Sequence, residues 1–389
     1  MNFNRRQFAA SLAALATIPV AARAQEPTFR VFGSSEGKLI PISLSGFTGE
    51  VASTLRFDLE VAGCSIVDPE SAVVLVHGTN GTRLEGFVSD RQKNYLLSKA
   101  YTGGNQRKLA HAFADEVIFV LTQTRGIAQT RVAFKVKAPN NTGEIYLADY
   151  DGHGAQPITA DRAIIAAPSW GAGSQWLAYT SYQRGNADIY SHRLDTGERH
   201  IVAGYGGSNL SPAVAPGGQQ VAMVLSKGGK PDLYVADIHG RGLQQLTRSL
   251  EGVSSPCWSP DGQNICYVSS DDGQPQLYSI GVNGGQPRRI RTVGVYNATE
   301  PDWSPDGKWI AFTTQRGGFE VCVVPAAGGD VQSLVSGQDP AWAPNSRTLM
   351  FCKRGRGGPL SLSLLDVPTK RVKDVPVNFG NCSQPTWAR

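Results

Sequence analysis

Several short patterns in this chain use residue types that do chemistry. Gly33-Ser34-Ser35-Glu36-Gly37 matches G-x-S-x-G, in which a sharp strand-to-helix turn presents a serine nucleophile. A strand-like run, residues 39–44, follows here instead of a helix, so the element that would aim the hydroxyl is missing. Asp149-x-Asp151-Gly152-His153-Gly154 opens like a calcium loop, but its twelfth position is Ala160, where the ion needs a bidentate Glu. Asp195-Thr196-Gly197 and Asn283-Gly284-Gly285 fall at the same place later in the chain, so a hairpin turn is the plainer reading. The six histidines (His77, His111, His153, His192, His200 and His239) show neither H-x-x-x-H nor H-E-x-x-H zinc spacing. His111 is expected to make a structural hydrogen bond. No Walker A, G-x-G-x-x-G or C2H2 pattern occurs. Neither a catalytic set, a metal nor a cofactor is expected.

The six cysteines, Cys64, Cys257, Cys266, Cys322, Cys352 and Cys382, contain no C-x-x-C, which argues against zinc ribbons and thioredoxin-like motifs. Cys257 and Cys266 flank one predicted hairpin and are the best-placed pair for a disulfide. The competing reading, six small core residues, fits their composition better. The net charge of +5 includes Arg5, Arg6 and Arg23 in the first 24 residues, leaving +2 for the rest. That balance lacks the basic stripe of a nucleic-acid binder.

The N-terminus reads as a targeting segment. Arg5-Arg6 precede an apolar run over residues 8–20 and then Ala22-Arg23-Ala24, so a signal peptide over residues 1–24 is expected. Asn4-Arg5-Arg6-Gln7-Phe8 also resembles a twin-arginine export motif; a generic signal is the alternative. No later run reaches the ~20 apolar residues of a spanning helix. An exported, soluble product of the periplasm is expected.

The elements that would carry any site come from a repeat. Ser255-Pro256-Cys257-Trp258-Ser259-Pro260-Asp261-Gly262 recurs as Glu300-Pro301-Asp302-Trp303-Ser304-Pro305-Asp306-Gly307. Weaker copies start at Pro168, Pro212, Pro340 and Pro385, so successive anchors are 44, 44, 45, 39 and 45 residues apart. The fifth unit reads as short strands at 301–304, 309–314, 320–325 and 331–334, separated by Gly-rich turns. Four strands in ~43 residues make a propeller blade. The Trp of each anchor is expected to wedge between blades. Second and third strands appear at 131–136 and 144–150 without a first, and the terminal Pro385-Thr386-Trp387 supplies it. A mainly β chain is expected: a six-bladed propeller over residues 131–389, closed by the C-terminal strand, after an α/β domain over residues 25–130. In that domain residues 39–44 and 72–77 read as strands, and 51–62 and 105–121 as helices, with Asn105 as N-cap and Gly126 beyond the end.

The stretch from Arg107 to Val117, with its Ala-His-x-x-x-Asp-Glu pattern at Ala110-His111 and Asp115-Glu116, resembles the TolB family. Leu121-Thr122-Gln123-Thr124-Arg125-Gly126 and Thr130-Arg131-Val132-Ala133 resemble that family's link into its propeller. With the signal segment and the repeats, the resemblance covers nearly the whole mature chain. It departs in blade two, which carries Gly171-Ala172-Gly173, in blade three, whose turn lacks the Asp, and over residues 72–99.

This resemblance implies a non-enzymatic Tol-Pal adaptor for envelope integrity and division. One propeller face would dock a Pal-like peptidoglycan-associated lipoprotein. By matching through the anchor prolines, the candidates are Ser208, Ser211, Ser254, Ser255, Thr299, Glu300 and Asp339. The start of the mature chain, with Gln25, Glu26, Phe29 and Phe32, would engage a TolA-like inner-membrane protein. A monomer is expected. The alternatives are a propeller hydrolase or lactonase, for which Glu300 and Asp339 are the obvious carboxylates, and a periplasmic glycan- or peptide-binding propeller.

Overall fold

The Ser-Pro-Asp-Gly turn builds its hairpin from side chains. The Ser259 hydroxyl donates to Asp261 Oδ1 at 2.5 Å and accepts from the Asn264 N–H at 2.9 Å. Asp261 Oδ1 also accepts from the Gln263 N–H at 3.0 Å, and Gly262 takes the φ of +68° that reverses the chain. Ser304 and Asp306 repeat this arrangement, with Gly307 at φ +75°. Where blade two has Gly171-Ala172-Gly173 instead, the chain makes a short 3-10 turn over Ala172–Ser174.

The structure is a computed structural model that describes residues 37–315, 317–355, 358–377 and 379–389. The signal segment, Gly33 to Glu36, and the candidates Gln25, Glu26, Phe29 and Phe32 lie outside the described residues. Six four-stranded antiparallel sheets form the blades of a propeller. Blade one is Cys382–Trp387, Arg131–Lys137, Gly143–Asp149 and Gln156–Pro157. Its first strand comes from the other end of the chain, with Cys382 opposite Val136 and Trp387 opposite Val132. That pairing leaves no open edge between the last blade and the first. The first strands of blades two to six are Ile165–Trp170, Asn209–Val214, Val253–Trp258, Thr299–Trp303 and Gln338–Trp342. Gly329–Asp330, just before the last strand of blade five, pairs in parallel with Thr292–Val293. The anchor tryptophans do reach between blades: Trp258 Nε1 donates to Ala213 O at 2.8 Å, and Trp170 Nε1 to Thr386 O at 3.1 Å.

Before the blades lies a five-stranded sheet in the order β2-β1-β3-β4-β5. Its strands are β1 (Ile40–Ser45), β2 (Cys64–Ile66), β3 (Val74–Asn80), β4 (Leu84–Asp90) and β5 (Tyr95–Tyr101). Helices α1 (Gly49–Val61) and α2 (Gln106–Thr122) cover it. Asn105 caps α2, its side chain accepting from the Lys108 N–H at 2.8 Å. The helix ends at Thr122, one residue past the expected end, and Gln123 caps it in the left-handed region at φ +57°. Gly126 is small for another reason: a Cβ there would stand 2.1 Å from Asp115 Oδ1. The core of this domain runs into the propeller without a break, from Leu55, Phe113 and Val117 to Tyr150, Met350 and Trp387.

Candidate binding face and central channel

The six first strands line one channel of about 500 Å3. In each of them the residue before the anchor proline has a positive φ: Ala167 (+52°), Ser211 (+49°), Ser255 (+50°), Glu300 (+54°), Asp339 (+53°) and Gln384 (+51°). A register shift in the first hairpin accompanies each one. Non-glycine residues held there cost of order 1–3 kcal/mol each and persist only when the surroundings over-determine them. Neighbouring blades supply that restraint. Glu300 Oε2 accepts from the Asp339 N–H at 3.0 Å, Asp339 Oδ2 from the Gln384 N–H at 3.0 Å, and Gln384 Oε1 from the Ala167 N–H at 3.0 Å. This belt runs from blade five through six and one to two, across the closing seam. Farther round, Thr180 Oγ1 accepts from the Ser211 N–H at 3.2 Å.

Two carboxyl groups share the channel mouth. Burial, and after it the Asp339 carboxylate, push the Glu300 pKa up to about 7. The Thr313 hydroxyl donates to Glu300 Oε2 at 2.7 Å and opposes that rise. At the other end, burial raises the Asp302 pKa against the pull of the Arg389 guanidinium. Arg389 also donates to Trp303 O at 3.3 Å and Trp342 O at 3.2 Å, so the last residue ties blades five and six.

The connections that enter the first strands, with the hairpins between second and third strands, form one face around the mouth. Four large apolar side chains are exposed there: Tyr296 (78 %), Leu250 (70 %), Phe319 (48 %) and Ile164 (46 %). The opposite face carries the N-terminal domain. Arg107 of α2 meets Asp151 in a turn of blade one, while Glu60 of α1 meets Arg371 and Lys373 of blade six. The domain therefore leaves the channel-mouth face uncovered.

A model of the TolB beta propeller domain matches residues 119–389. The chain belongs to the TolB β-propeller family. Among curated relatives, the Tol-Pal system protein TolB of Desulfosudis oleivorans is 37 % identical over 160 residues, 41 % of this chain and 36 % of that protein. Its counterpart in Anaeromyxobacter dehalogenans strain 2CP-1 is 31 % identical over 289 residues, 62 % of this chain and 65 % of that protein. The chain thus spans between about a third and two thirds of the length of these relatives. The crystal structure of TolB from Acinetobacter baumannii superposes with a TM-score of 0.82 at 21 % identity, over 90 % of this chain and 97 % of that one. That likeness extends the shared fold to the N-terminal domain.

In this TolB-family chain the candidate residues divide into two groups. Ser211, Ser255, Glu300 and Asp339 line the channel. Ser208, Ser254 and Thr299 stand outside its wall, Ser254 exposed and the other two half-buried. The sequence reading passed over Ala167 and Gln384, although both precede an anchor proline and the repeat register marks them. It also passed over Asp302, Arg389 and the exposed Tyr296 and Leu250. All six cysteines are buried, with Cys257 and Cys266 directly opposed across one hairpin. The Asp149–Gly154 stretch is a hairpin turn, closed by the Gly152 N–H to Asp149 O at 2.8 Å. Asp58, His111 and Asp151 bring ligand-type atoms within 4.8 Å of one another. Arg107 engages Asp151, Tyr150 donates to Asp58 and His111 Nδ1 lies 2.8 Å from Asp58, so these ligand-type atoms already have protein partners.

Proposed function

We propose that this chain is the non-enzymatic periplasmic adaptor of a Tol-Pal system. Its channel-mouth face would dock a Pal-like peptidoglycan-associated lipoprotein, and the start of the mature chain, from Gln25 to about Gly33, would engage a TolA-like inner-membrane protein. Alternating between the two would let an inner-membrane energy source act on the outer membrane, for envelope integrity and constriction at division. Membership of the family supports this reading, as do curated relatives named Tol-Pal system protein TolB. The observation that carries the docking face is its exposed apolar set, Tyr296, Leu250, Phe319 and Ile164, around a polar mouth and opposite the N-terminal domain. Apolar anchors inside a polar rim are the usual anatomy of a protein interface. Among the described residues no helix is long and apolar enough to cross a membrane, which agrees with a periplasmic site.

The lactonase reading needs carboxylates and amides free to converge on a metal. Glu300, Asp339 and Gln384 instead spend oxygens on N–H groups of neighbouring blades. Calorimetric titration of the chain from residue 25 onward with the Pal-like domain of the same organism tests the proposal. Binding that Tyr296→Ser and Leu250→Ser weaken supports it, and no binding by the wild-type chain refutes it.

A further inference from the structure

The Ala-His-x-x-x-Asp-Glu stretch carries a histidine that the docking face does not use. His111 on α2 is 3 % exposed. Its Nδ1 lies 2.8 Å from Asp58 Oδ2 on α1. Its other ring nitrogen, Nε2, lies 3.6 Å from Asp151 Oδ2 in the turn that follows Asp149 in blade one. One imidazole therefore stands between a carboxylate of the N-terminal domain and a carboxylate of the propeller.

The groups around it leave His111 to complete a charge balance. From blade one, Tyr150 donates its hydroxyl to Asp58 Oδ1. From α2, Arg107 engages Asp151, donates to Thr54 Oγ1 at 3.1 Å and pairs with Glu50 at 3.3 Å, both on α1. Asp115, also on α2, accepts from the Ala128 N–H at 2.7 Å and from the Gln129 N–H at 3.3 Å. Asp58 and Asp151 are both buried, and Arg107 already divides its charge between Asp151 and Glu50. A neutral imidazole donating to Asp58 would turn a bare Nε2 lone pair toward the Asp151 carboxylate, acceptor against acceptor. An imidazolium donates to Asp58 and turns its second N–H and its charge toward the Asp151 carboxylate, an ion pair across 3.6 Å.

We propose that His111 is a proton-operated latch between the N-terminal domain and blade one. Protonated, it joins α1 and α2 to the Asp151 turn. Deprotonated, it keeps Asp58 and releases Asp151. The contacts on blade six are Glu60 with Arg371 and Lys373, and Arg371 Nη1 donating to Cys64 O at 2.7 Å. Arg107 with Asp151 and Tyr150 with Asp58 also remain on blade one, so opening the latch loosens the Asp151 turn while the domain stays docked.

The direction of titration agrees with this geometry. Burial opposes the imidazolium, but the hydrogen bond and charge of Asp58, with Asp151 behind them, outweigh burial and Arg107 and raise the His111 pKa. Burial raises the Asp58 pKa as well, against His111 and Tyr150, so the pocket as a whole holds its proton more tightly. The histidine's pKa is higher folded than unfolded. The latch is then fully closed below the unfolded value of about 6.5 and opens as pH rises through the folded value.

The test is made on the chain from residue 25 onward. Imidazole C2 proton resonances are followed from about pH 5.5 to 9.5, with His111→Gln assigning the His111 signal. Amide exchange of the Gly152 and His153 N–H groups is followed in parallel and corrected for its intrinsic pH dependence. The latch requires a His111 midpoint above 6.5, and turn protection that falls tenfold or more around the same midpoint. In His111→Gln, protection should be flat with pH. Asp151→Asn, which keeps the shape and removes the propeller charge, should lower the His111 midpoint and serves if His111→Gln fails to fold. A wild-type midpoint at or below 6.5 overturns the proposal. So does a turn whose exchange follows one pH profile in wild type and variants alike.

Discussion

Replacing Glu300 by Gln should stabilise the folded chain above neutral pH. Burial and the Asp339 carboxylate hold the Glu300 pKa at about 7, against an ordinary value of 4.5. Between these values the folded chain binds more protons than the unfolded one. Stability therefore falls as pH rises from 4.5 to about 7 and levels off beyond it. A gap of that width, at ~1.4 kcal/mol per unit, amounts to about 3 kcal/mol once both carboxyls are ionised. Gln keeps an acceptor for the Asp339 N–H and the Thr313 hydroxyl, and offers its NH2 to the Asp339 carboxylate. The expected gain is about 2–3 kcal/mol at pH 8 and close to nothing at pH 4. Urea unfolding followed by tryptophan fluorescence at both pH values measures it. The reasoning fails if the variant is no more stable than wild type at pH 8, or if its advantage is the same at pH 4.

Three further outcomes follow from the same contacts. Trp387 is 2 % exposed and donates to Thr130 Oγ1 at 2.7 Å, so Trp387→Ala should cost about 3–5 kcal/mol in urea unfolding. Arg389→Gln leaves Asp302 without its charged partner, and the loss, about 1 kcal/mol because the pair is partly exposed, should grow as pH rises through the Asp302 pKa. Tyr296→Ser with Leu250→Ser should leave the unfolding midpoint within about 0.5 kcal/mol of wild type, since both side chains face solvent.

The propeller was legible because its turns are chemical. Ser259, Pro260, Asp261 and Gly262 each do a separable thing in the hairpin, and their recurrence in register betrays the blade. Asn105 was legible for the same reason, as a cap whose side chain bonds locally. The β3–β5 meander was not, beyond the start of β3. Its residues 84–101 lack a clean alternation because Gly86 sits against Phe113 and β5 is largely exposed. Around the channel, the repeat register pointed to Ser211, Ser255, Glu300 and Asp339, and it would have given Ala167 and Gln384 had every pre-proline position been read alike. The raised Glu300 pKa and the His111 bridge to Asp151 depend on blades and domains meeting across 39 and 40 residues of sequence, which no local pattern carries.

The central claim is that the channel-mouth face docks a Pal-like lipoprotein, and calorimetry measures that directly. The chain from residue 25 onward is titrated with the Pal-like domain of its own organism, beside the Tyr296→Ser, Leu250→Ser double variant. The account expects micromolar or tighter binding by wild type and at least a tenfold loss in the variant, with unfolding midpoints unchanged. Wild-type binding that survives the double substitution intact would contradict the face, and the absence of wild-type binding would contradict the adaptor role itself.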